Sequence, residues 1–132
     1  MDIIITEWAL QSYLDLKHKG VFTKDEYYQY IRPDVELLRE GFPSPHPKFS
    51  NGKFWGPATL DGKVVPHGFK MKWHQVGPGR VQLRLGIGLF NQAFLCRGYV
   101  KNDEKVDKRE VARLKIHLRN IFLGQYSYRG AL

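Results

Sequence analysis

Residues 68–101 read GFKMKWHQVGPGRVQLRLGIGLFNQAFLCRGYVK, and the rest of the chain is interpreted around them. Two turn signals, Gly77-Pro78-Gly79 and Asn91-Gln92, divide this segment into three strand-like stretches, residues 69–76, 80–89 and 93–101. Gly-Pro-Gly neither continues a helix nor occupies a central strand. Short turns between consecutive strands join neighbours that run in opposite directions, so the sequence predicts an antiparallel meander.

The first two strands have one apolar face and one basic face, because side chains alternate along a strand with a period of two. The apolar face contains Phe69, Met71, Trp73, Val81, Leu83, Leu85 and Ile87. The other face contains Lys70, Lys72, His74, Arg80, Gln82 and Arg84. We predict that the apolar face is core and that the basic face is the functional surface. On the third strand Arg97, Tyr99 and Lys101 share one face, and strand register decides whether they join the basic one.

The chain has 132 residues and a formal net charge of +8, which indicates one domain spanning residues 1–132. The charge is unevenly distributed: residues 1–47 carry 5 basic and 8 acidic side chains, whereas residues 48–132 carry 16 basic and 5 acidic ones. A strongly basic second part favours a polyanionic partner, with nucleic acid as the leading candidate. The alternative is a solvated basic protein that binds no nucleic acid.

Cysteine usage and the N-terminal sequence bear on the compartment. The single cysteine, Cys96, excludes an intramolecular disulfide and is consistent with a reducing cytoplasm. Its strand position predicts a small buried hydrophobe rather than a nucleophile. The first residues lack a basic region followed by a long apolar run, so neither a signal peptide nor a transmembrane segment is predicted.

The first third of the chain reads as a strand followed by helices. Residues 2–6 are short and β-branched, and Thr6 is placed to cap a helix that ends near Lys19. Thr23-Lys24-Asp25-Glu26 has the pattern of a capping box and predicts a second helix start. Pro33 lies inside the pattern that follows, so either the helix bends there or a further helix begins with Pro33 in its first turn.

The last third contains one long helix and a tail. Asp107-Lys108-Arg109-Glu110 predicts a second capping box, with Asp107 as the cap of a helix that runs to about Leu123. Residues 124–132 form a short tail. The element order predicts an α+β fold: an antiparallel sheet of about four to five strands, two N-terminal helices on one of its faces, and a C-terminal helix.

Several kinds of chemistry lack their sequence signals. The chain has no phosphate-binding glycine loop, and Gly86-Ile87-Gly88 indicates a bulge or a close backbone approach within a strand. No carboxylate falls on the basic strand face, which argues against glycoside hydrolysis and against a Mg²⁺-dependent nuclease. His46 has no second ligand at metal-binding spacing. We therefore expect no metal and no cofactor.

Cleavage of RNA without a metal fits the residues that remain, because RNA supplies its own nucleophile, the 2′-hydroxyl. Such cleavage needs a base, cations for the charge that develops on the phosphorus oxygens, and an acid for the leaving 5′-oxygen. A non-catalytic set of phosphate contacts is the alternative interpretation. The candidate catalytic residues are Lys70, Lys72, His74 and Arg84, and the candidate phosphate contacts are Arg80, Arg97 and Lys101.

Short motifs in this region resemble those of a known family. Phe69-Lys70-Met71-Lys72-Trp73, a glycine turn and an arginine-bearing strand are similar to the corresponding strands of RelE-type toxin ribonucleases. Residues 95–101, LCRGYVK, followed by residues 105–110, KVDKRE, resemble the HigB-type branch of the same superfamily. The order of strand, two helices and meander is also similar to that of the RelE/ParE fold.

The resemblance implies the toxin of a type II toxin–antitoxin system, a cytoplasmic protein that cleaves mRNA, commonly on the ribosome, and is inactivated by a cognate antitoxin. It implies Lys70 and Lys72 as base or phosphate-binding groups, Arg84 or Arg80 as the group that stabilises the transition state, and Lys101 as a phosphate contact.

The chain also departs from this family. RelE-type ribonucleases often carry a tyrosine in the first turn of the last helix, and residues 106–111 contain none. Tyr126 or Tyr128 is left for that role if the tail folds back, and both, together with Arg129, are further candidate RNA or phosphate contacts. The superfamily includes gyrase poisons as well. The alternative function is therefore a non-catalytic binder, directed at DNA gyrase or at RNA and the ribosome.

Overall fold

The computed structural model describes all 132 residues as a six-stranded sheet with helices packed on both of its faces. The order of strands across the sheet is β2-β3-β4-β5-β1-β6. The predicted α+β class is confirmed. The strands are β1 (Ile3–Thr6), β2 (Trp55–Leu60), β3 (Lys63–Val76), β4 (Val81–Leu89), β5 (Ala93–Val100) and β6 (Tyr128–Ala131). The helices are α1 (Glu7–His18), α2 (Lys24–Glu26), α3 (Arg32–Glu36) and α4 (Glu104–Phe122).

The predicted meander is confirmed. β3 pairs with β4 and β4 pairs with β5, each antiparallel. The hairpin between β3 and β4 turns at Gly77, which has a positive φ of 67°. A Cβ atom on Gly77 would lie 2.0 Å from the carbonyl oxygen of Val21, so only glycine fits this position. The Gly77 N–H donates to the Glu26 carboxylate at 3.0 Å and joins the turn to the start of α2.

The sheet differs from the predicted one in strand number and direction. It has six strands rather than four to five, and it is mixed, because β1 runs parallel to β5. β1 lies inside the sheet, with Ile3 in the core on one face and Ile4 in the core on the other. A short strand that is apolar on both faces fits such an interior position, but its partner lies about 90 residues away and is not encoded locally.

The C-terminal tail is also different from the prediction. Residues Tyr128–Ala131 are not a free tail but the edge strand β6, which pairs antiparallel with β1. The Glu7 carboxylate accepts hydrogen bonds from the Ser127 N–H at 2.9 and 3.0 Å. These contacts hold the C-terminal segment at the edge of the sheet furthest from β2.

The helix starts in the first third follow the predicted caps. Thr6 accepts a hydrogen bond from the Ala9 N–H at 3.3 Å, and Thr23 forms a reciprocal capping box with Glu26. After α2 the chain continues as a π-helical segment, residues 27–31, before α3 begins. Pro33 lies in the first turn of α3. The backbone stays helical through Ile31 and Arg32, and no side chain caps α3, so α3 continues the preceding segment and neither alternative for Pro33 is decided.

Both faces of the sheet are covered, and this changes the interpretation of the basic face. The larger core lies between the sheet, α1 and the α2–α3 segment. A second core lies under α4, on the face that carries the basic side chains. α4 approaches the sheet at Gly86 and Gly88, where a Cβ atom on Gly88 would be 2.6 Å from Leu118 Cδ2. The two glycines thus permit a close helix approach, and the predicted open basic surface is in part covered.

The buried groups fit this two-sided arrangement. Cys96 is fully buried in the second core, and burial raises the pKa of its thiol to about 12, so it packs as an apolar side chain. None of the helices has the combination of length and apolar character that crossing a membrane requires.

Candidate functional site

The strand register brings the basic residues of β3, β4 and β5 to one side of the sheet. Lys72 lies directly opposite Arg84 on the neighbouring strand. Arg84 in turn lies opposite Tyr99. Because opposed residues point to the same face, Tyr99 joins the two cations there. The register therefore places the Arg97, Tyr99 and Lys101 side of β5 on the basic face.

The first two turns of α4 bring carboxylates to this face. The Tyr99 hydroxyl donates to Asp107 Oδ1 at 2.6 Å, and Lys70 Nζ donates to Asp107 Oδ2 at 2.9 Å. Arg97 Nε donates to Glu110 Oε2 at 2.8 Å. The expectation that the basic face lacks carboxylates is therefore wrong for the folded protein: they come from a helix and not from the strands.

The start of α4 explains why Asp107 is available for these contacts. The helix begins one turn earlier than predicted, and its cap is Asp103, whose carboxylate accepts from the Val106 N–H at 2.9 Å. Asp107 is thus an internal helix residue that faces the sheet. Burial alone would raise the pKa of Asp107, but the hydrogen bonds from Tyr99 and Lys70 outweigh it and lower that pKa below its usual value.

Lys72 is a cation without an acidic partner. Its Nζ donates to the carbonyl oxygen of Gly52 at 2.9 Å and makes no ion pair. Partial burial lowers the pKa of Lys72, and the neighbouring charges of Lys70, Arg84 and Lys101 lower it further. A lysine in such surroundings loses its proton more readily than an exposed one.

Arg84 is the second cation without a carboxylate, and it is buried, with 5% of its surface exposed. Its guanidinium donates to Gln82 Oε1 at 2.6 Å and to the carbonyl of Leu83 at 3.3 Å. Burial lowers the pKa of Arg84. Its hydrogen-bond partners are all neutral, and the carboxylates of Asp107 and Glu104 act on it without forming an ion pair, which leaves the buried guanidinium able to hold an anion beside it.

The remaining cations of this face are neutralised within the protein. Lys70 pairs with Asp107, Arg97 with Glu110, and Lys101 with Glu104 at 2.9 Å. Glu104 is mostly exposed, so the pair that it forms with Lys101 is open to solvent. Lys72 and Arg84 are therefore the two facing cations that form no ion pair with a carboxylate. Together they are defined as the Lys72–Arg84 site.

Two other predicted residues lie away from this pair. His74 is exposed and its Nε2 contacts the carbonyl oxygen of Lys53 at 2.6 Å. Arg80 lies in the hairpin turn with a positive φ of 49° and donates to Gln75 Oε1 at 2.9 Å. The cations whose charges act on Lys72 are Lys70, Arg84 and Lys101, and Arg80 is not among them.

The three predicted residues of the tail are not part of the site either. Tyr126 packs edge-to-face on Phe94 in the second core, with ring centroids 5.3 Å apart. Tyr128 and Arg129 lie in β6, three strands from β4, which is about 14 Å at the usual strand spacing. Tyr126 thus lies on the α4 side of the sheet but within its core, and pairing with β1 holds Tyr128 and Arg129 at the edge furthest from β2, so the tail does not reach the Lys72–Arg84 site.

Sequence reasoning left two residues out of the site, Tyr99 and Asp107. The parity of β5 already grouped Tyr99 with Arg97 and Lys101. Burial raises the pKa of Tyr99, and its hydrogen bond to Asp107 raises it further, so the phenol stays protonated. Tyr99 thus reaches the first turn of α4 from β5.

A separate apolar cleft of about 250 Å³ lies on the other face of the sheet, between α1, the π-helical segment and β4. Its walls include Tyr13, Phe22, Ile31 and Leu85. The polar Ser12 in its wall is fully used, because its hydroxyl donates to Ala9 and accepts from Gly98.

Comparison of the chain with protein-family models, with curated proteins and with solved structures gives no match. Function is therefore inferred from the geometry of the Lys72–Arg84 site.

Proposed function

We propose that this protein is the toxin of a toxin–antitoxin pair, of RelE/ParE type, and that it cleaves mRNA without a metal. The observation that carries the proposal is the Lys72–Arg84 site. Two partly or fully buried cations face each other across β3 and β4, and neither is neutralised by a carboxylate. Such a pair is suited to a phosphodiester, whose negative charge increases in the transition state.

The proposed reaction uses the 2′-hydroxyl of the RNA as nucleophile. Neutral Lys72, favoured by its lowered pKa, takes the proton of this hydroxyl while the 2′-oxygen attacks phosphorus. The guanidinium of Arg84 stabilises the charge on the non-bridging oxygens. The bond to the 5′-oxygen breaks, and this oxygen takes a proton from the ammonium group of Lys70 or Lys101. The products are a 2′,3′-cyclic phosphate and a 5′-hydroxyl.

Tyr99 and Asp107 have a positioning role in this proposal. Asp107 accepts hydrogen bonds from both Tyr99 and Lys70. It thereby fixes the position of the Lys70 ammonium, which lies two residues before Lys72 on the same face of β3. Burial lowers the pKa of Lys72 most, and the fixed ammonium of Lys70 lowers it further, against the opposing charge of Asp107. The proposed partners are mRNA, presented on the ribosome, and a cognate antitoxin.

The apolar cleft supports the part of the proposal that concerns an antitoxin. It lies on the face of the sheet opposite Lys72, and exposed Leu10 and Tyr28 border it. Open apolar space with exposed apolar borders is typical of a surface that another protein covers.

The test is an RNA-cleavage assay with purified protein and a short single-stranded RNA, on which we expect a 5′-hydroxyl product. Lys72→Ala should lower the rate by about 100- to 1,000-fold, the usual effect of removing a group that acts on transition-state charge or protons. Lys63→Ala, at an exposed lysine at the start of the same strand, is the matched control and should cleave normally. EDTA should not inhibit, because the RNA and the cations of the protein supply all reacting groups.

Equal rates for Lys72→Ala and the wild type, or a 5′-phosphate product, would contradict the proposal. The second candidate, a non-catalytic toxin directed at gyrase, is favoured by one observation: Lys70, Arg97 and Lys101 are neutralised by α4. Expression in a bacterium separates the two, since mRNA breakage supports cleavage, whereas a DNA-damage response with intact mRNA supports gyrase.

A further inference from the structure

The solvent face of α4 carries a row of basic side chains that the Lys72–Arg84 site does not use. Every exposed charged residue from Lys105 to Arg119 is basic, since the carboxylates in that range, Asp107 and Glu110, are buried against the sheet. The exposed basic residues are Lys105, Lys108, Arg109, Arg113, Lys115 and Arg119.

Two of these six residues are engaged with carboxylates. Lys108 pairs with Asp61 at 2.7 Å, and Arg113 pairs with Glu110 at 3.1 Å. The other four make no ion pair, and they are defined here as the α4 basic row: Lys105, Arg109, Lys115 and Arg119. At 1.5 Å per residue the row is about 21 Å long.

The α4 basic row lies on the opposite side of the helix from the second core. Val111, Leu114 and Leu118 pack on the sheet, which leaves the row directed to solvent. Unpaired like charges on one helix face repel one another, so the folded protein gains no stability from their arrangement. A polyanion on this face removes the repulsion, and that charge complementarity identifies the occupant.

We propose that the α4 basic row binds the phosphate backbone of double-stranded RNA. The exposed residues between Lys105 and Arg119 include no aromatic side chain, so the row offers no platform on which unpaired bases stack. A rigid helix whose cations extend over about 21 Å suits the phosphates of a duplex. The row contains only Lys and Arg, and double-stranded RNA is the duplex that proteins recognise mainly by its backbone and shape rather than by its sequence. The inference does not rest on RNA cleavage, because the row and the Lys72–Arg84 site are on different sides of α4.

An anionic membrane is a less suitable partner for this row. A surface-bound helix inserts a continuous apolar face into the lipid, and the apolar stripe of α4 is buried on the sheet. Between Lys105 and Arg119 only Ile116 is both apolar and exposed. Phe122 is more exposed but lies beyond Arg119. Membrane binding is kept as an outcome of the test.

The test compares two variants that remove the same charge. The row variant replaces Lys105, Arg109, Lys115 and Arg119 by Gln. The control variant replaces Lys17, Lys19, Lys24 and Lys63, which are exposed and lie on other elements, by Gln. Binding of a blunt-ended RNA duplex is measured as a function of salt concentration, and circular dichroism verifies that both variants fold.

For the row variant the plot of log association constant against log salt should be less steep by about 3.6, because each of the four lost phosphate contacts contributes about 0.9 to the slope. The control variant should keep the wild-type slope. If the row and control variants lost the same amount of duplex affinity, the proposal would be overturned, since the lower net charge alone would explain the loss. Loss of binding to phosphatidylserine vesicles with an unchanged duplex affinity would overturn it in favour of a membrane.

Discussion

The Tyr99 hydroxyl donates a 2.6 Å hydrogen bond to Asp107, whose other carboxylate oxygen accepts from Lys70 at 2.9 Å. The side chains of Lys70 and Asp107 are each only 12% exposed. This contact joins the start of α4 to the polar side of β3 and β5. It therefore determines which part of the basic face the helix covers and which part, around Lys72, it leaves open.

The first prediction is that Asp107→Asn destabilises the fold by about 3 kcal/mol at neutral pH, as removal of one partner from a buried ion pair does. The folded-state pKa of Asp107 lies below its ordinary value, so its contribution to the free energy of unfolding is present above about pH 5. It is lost as the pH falls through the lowered pKa. Urea denaturation of both proteins at pH 7 and pH 3 measures this, and the difference between them should shrink at pH 3.

Asp61→Asn is the control for this prediction, because Asp61 pairs with Lys108 on the surface and both side chains are mostly exposed. We expect no measurable loss there. A difference between wild type and Asp107→Asn that is as large at pH 3 as at pH 7 would mean that the carboxylate charge is not the stabilising feature.

The second prediction separates the charge of Arg84 from its packing. The sequence alone placed Arg84 on the basic face that was predicted to be the functional surface, but Arg84 is buried. Arg84→Met should unfold at a free energy within about 1 kcal/mol of the wild type or above it, because it removes a buried charge that has no carboxylate partner and keeps the apolar stem. Arg84→Ala should lose about 1–3 kcal/mol through lost packing.

Thermal or urea unfolding of the two Arg84 variants provides the comparison. If Arg84→Met were as unstable as Arg84→Ala, the guanidinium charge would itself stabilise the fold. The charge of Arg84 would then be neutralised within the folded protein.

The third prediction concerns the pH dependence of Lys72. Burial and then the charges of Lys70, Arg84 and Lys101 lower its pKa, so removal of one of these charges must raise it. We expect Lys101→Gln to raise the pKa of Lys72. NMR of the Lys72 side-chain nitrogen as a function of pH measures this. If Lys72 is the base, the rising limb of the cleavage rate should move to higher pH in that variant.

Lys63→Gln is the matched control and should leave the titration of Lys72 unchanged. If the rising limb of the cleavage rate moved in Lys101→Gln while the NMR titration of Lys72 did not, the base would be another group. A resonance that does not move at all would contradict the placement of Lys101 beside Lys72.

The fourth prediction distinguishes two leucines that the sequence treats as equal. Both leucines line the apolar cleft, but Leu83 is buried, with 4% of its surface exposed, whereas Leu85 is only partly buried. Leu83→Ala should cost about 2–5 kcal/mol, the range for truncation of a buried side chain. Leu85→Ala should cost less than about 2 kcal/mol, because a partly exposed side chain loses fewer contacts. Urea denaturation of both variants tests this, and the reverse order would mean that Leu85 is the more tightly packed of the two in solution.

Local patterns were sufficient to predict the meander, the two faces of β3 and β4, and the caps at Thr6 and Thr23. Each depends on neighbours within a few residues: a period of two separates the faces, glycine and proline terminate strands, and a hydroxyl caps the nearest free N–H groups. The same periodicity grouped Tyr99 with Lys101. Such features do not depend on how distant segments of the chain pack.

The positions of α4, β1 and β6 were decided only by the tertiary structure. β1 pairs with β5 and β6 over about 90 and about 120 residues, and no local signal specifies a partner at that distance. α4 lies over Gly86 and Gly88, and so delivers Asp107 to Lys70 and Glu110 to Arg97. The sequence shows how many cations the basic face has, but which of them remain without a carboxylate depends on where that helix packs. Only packing leaves Lys72 and Arg84 as the pair with uncompensated charge.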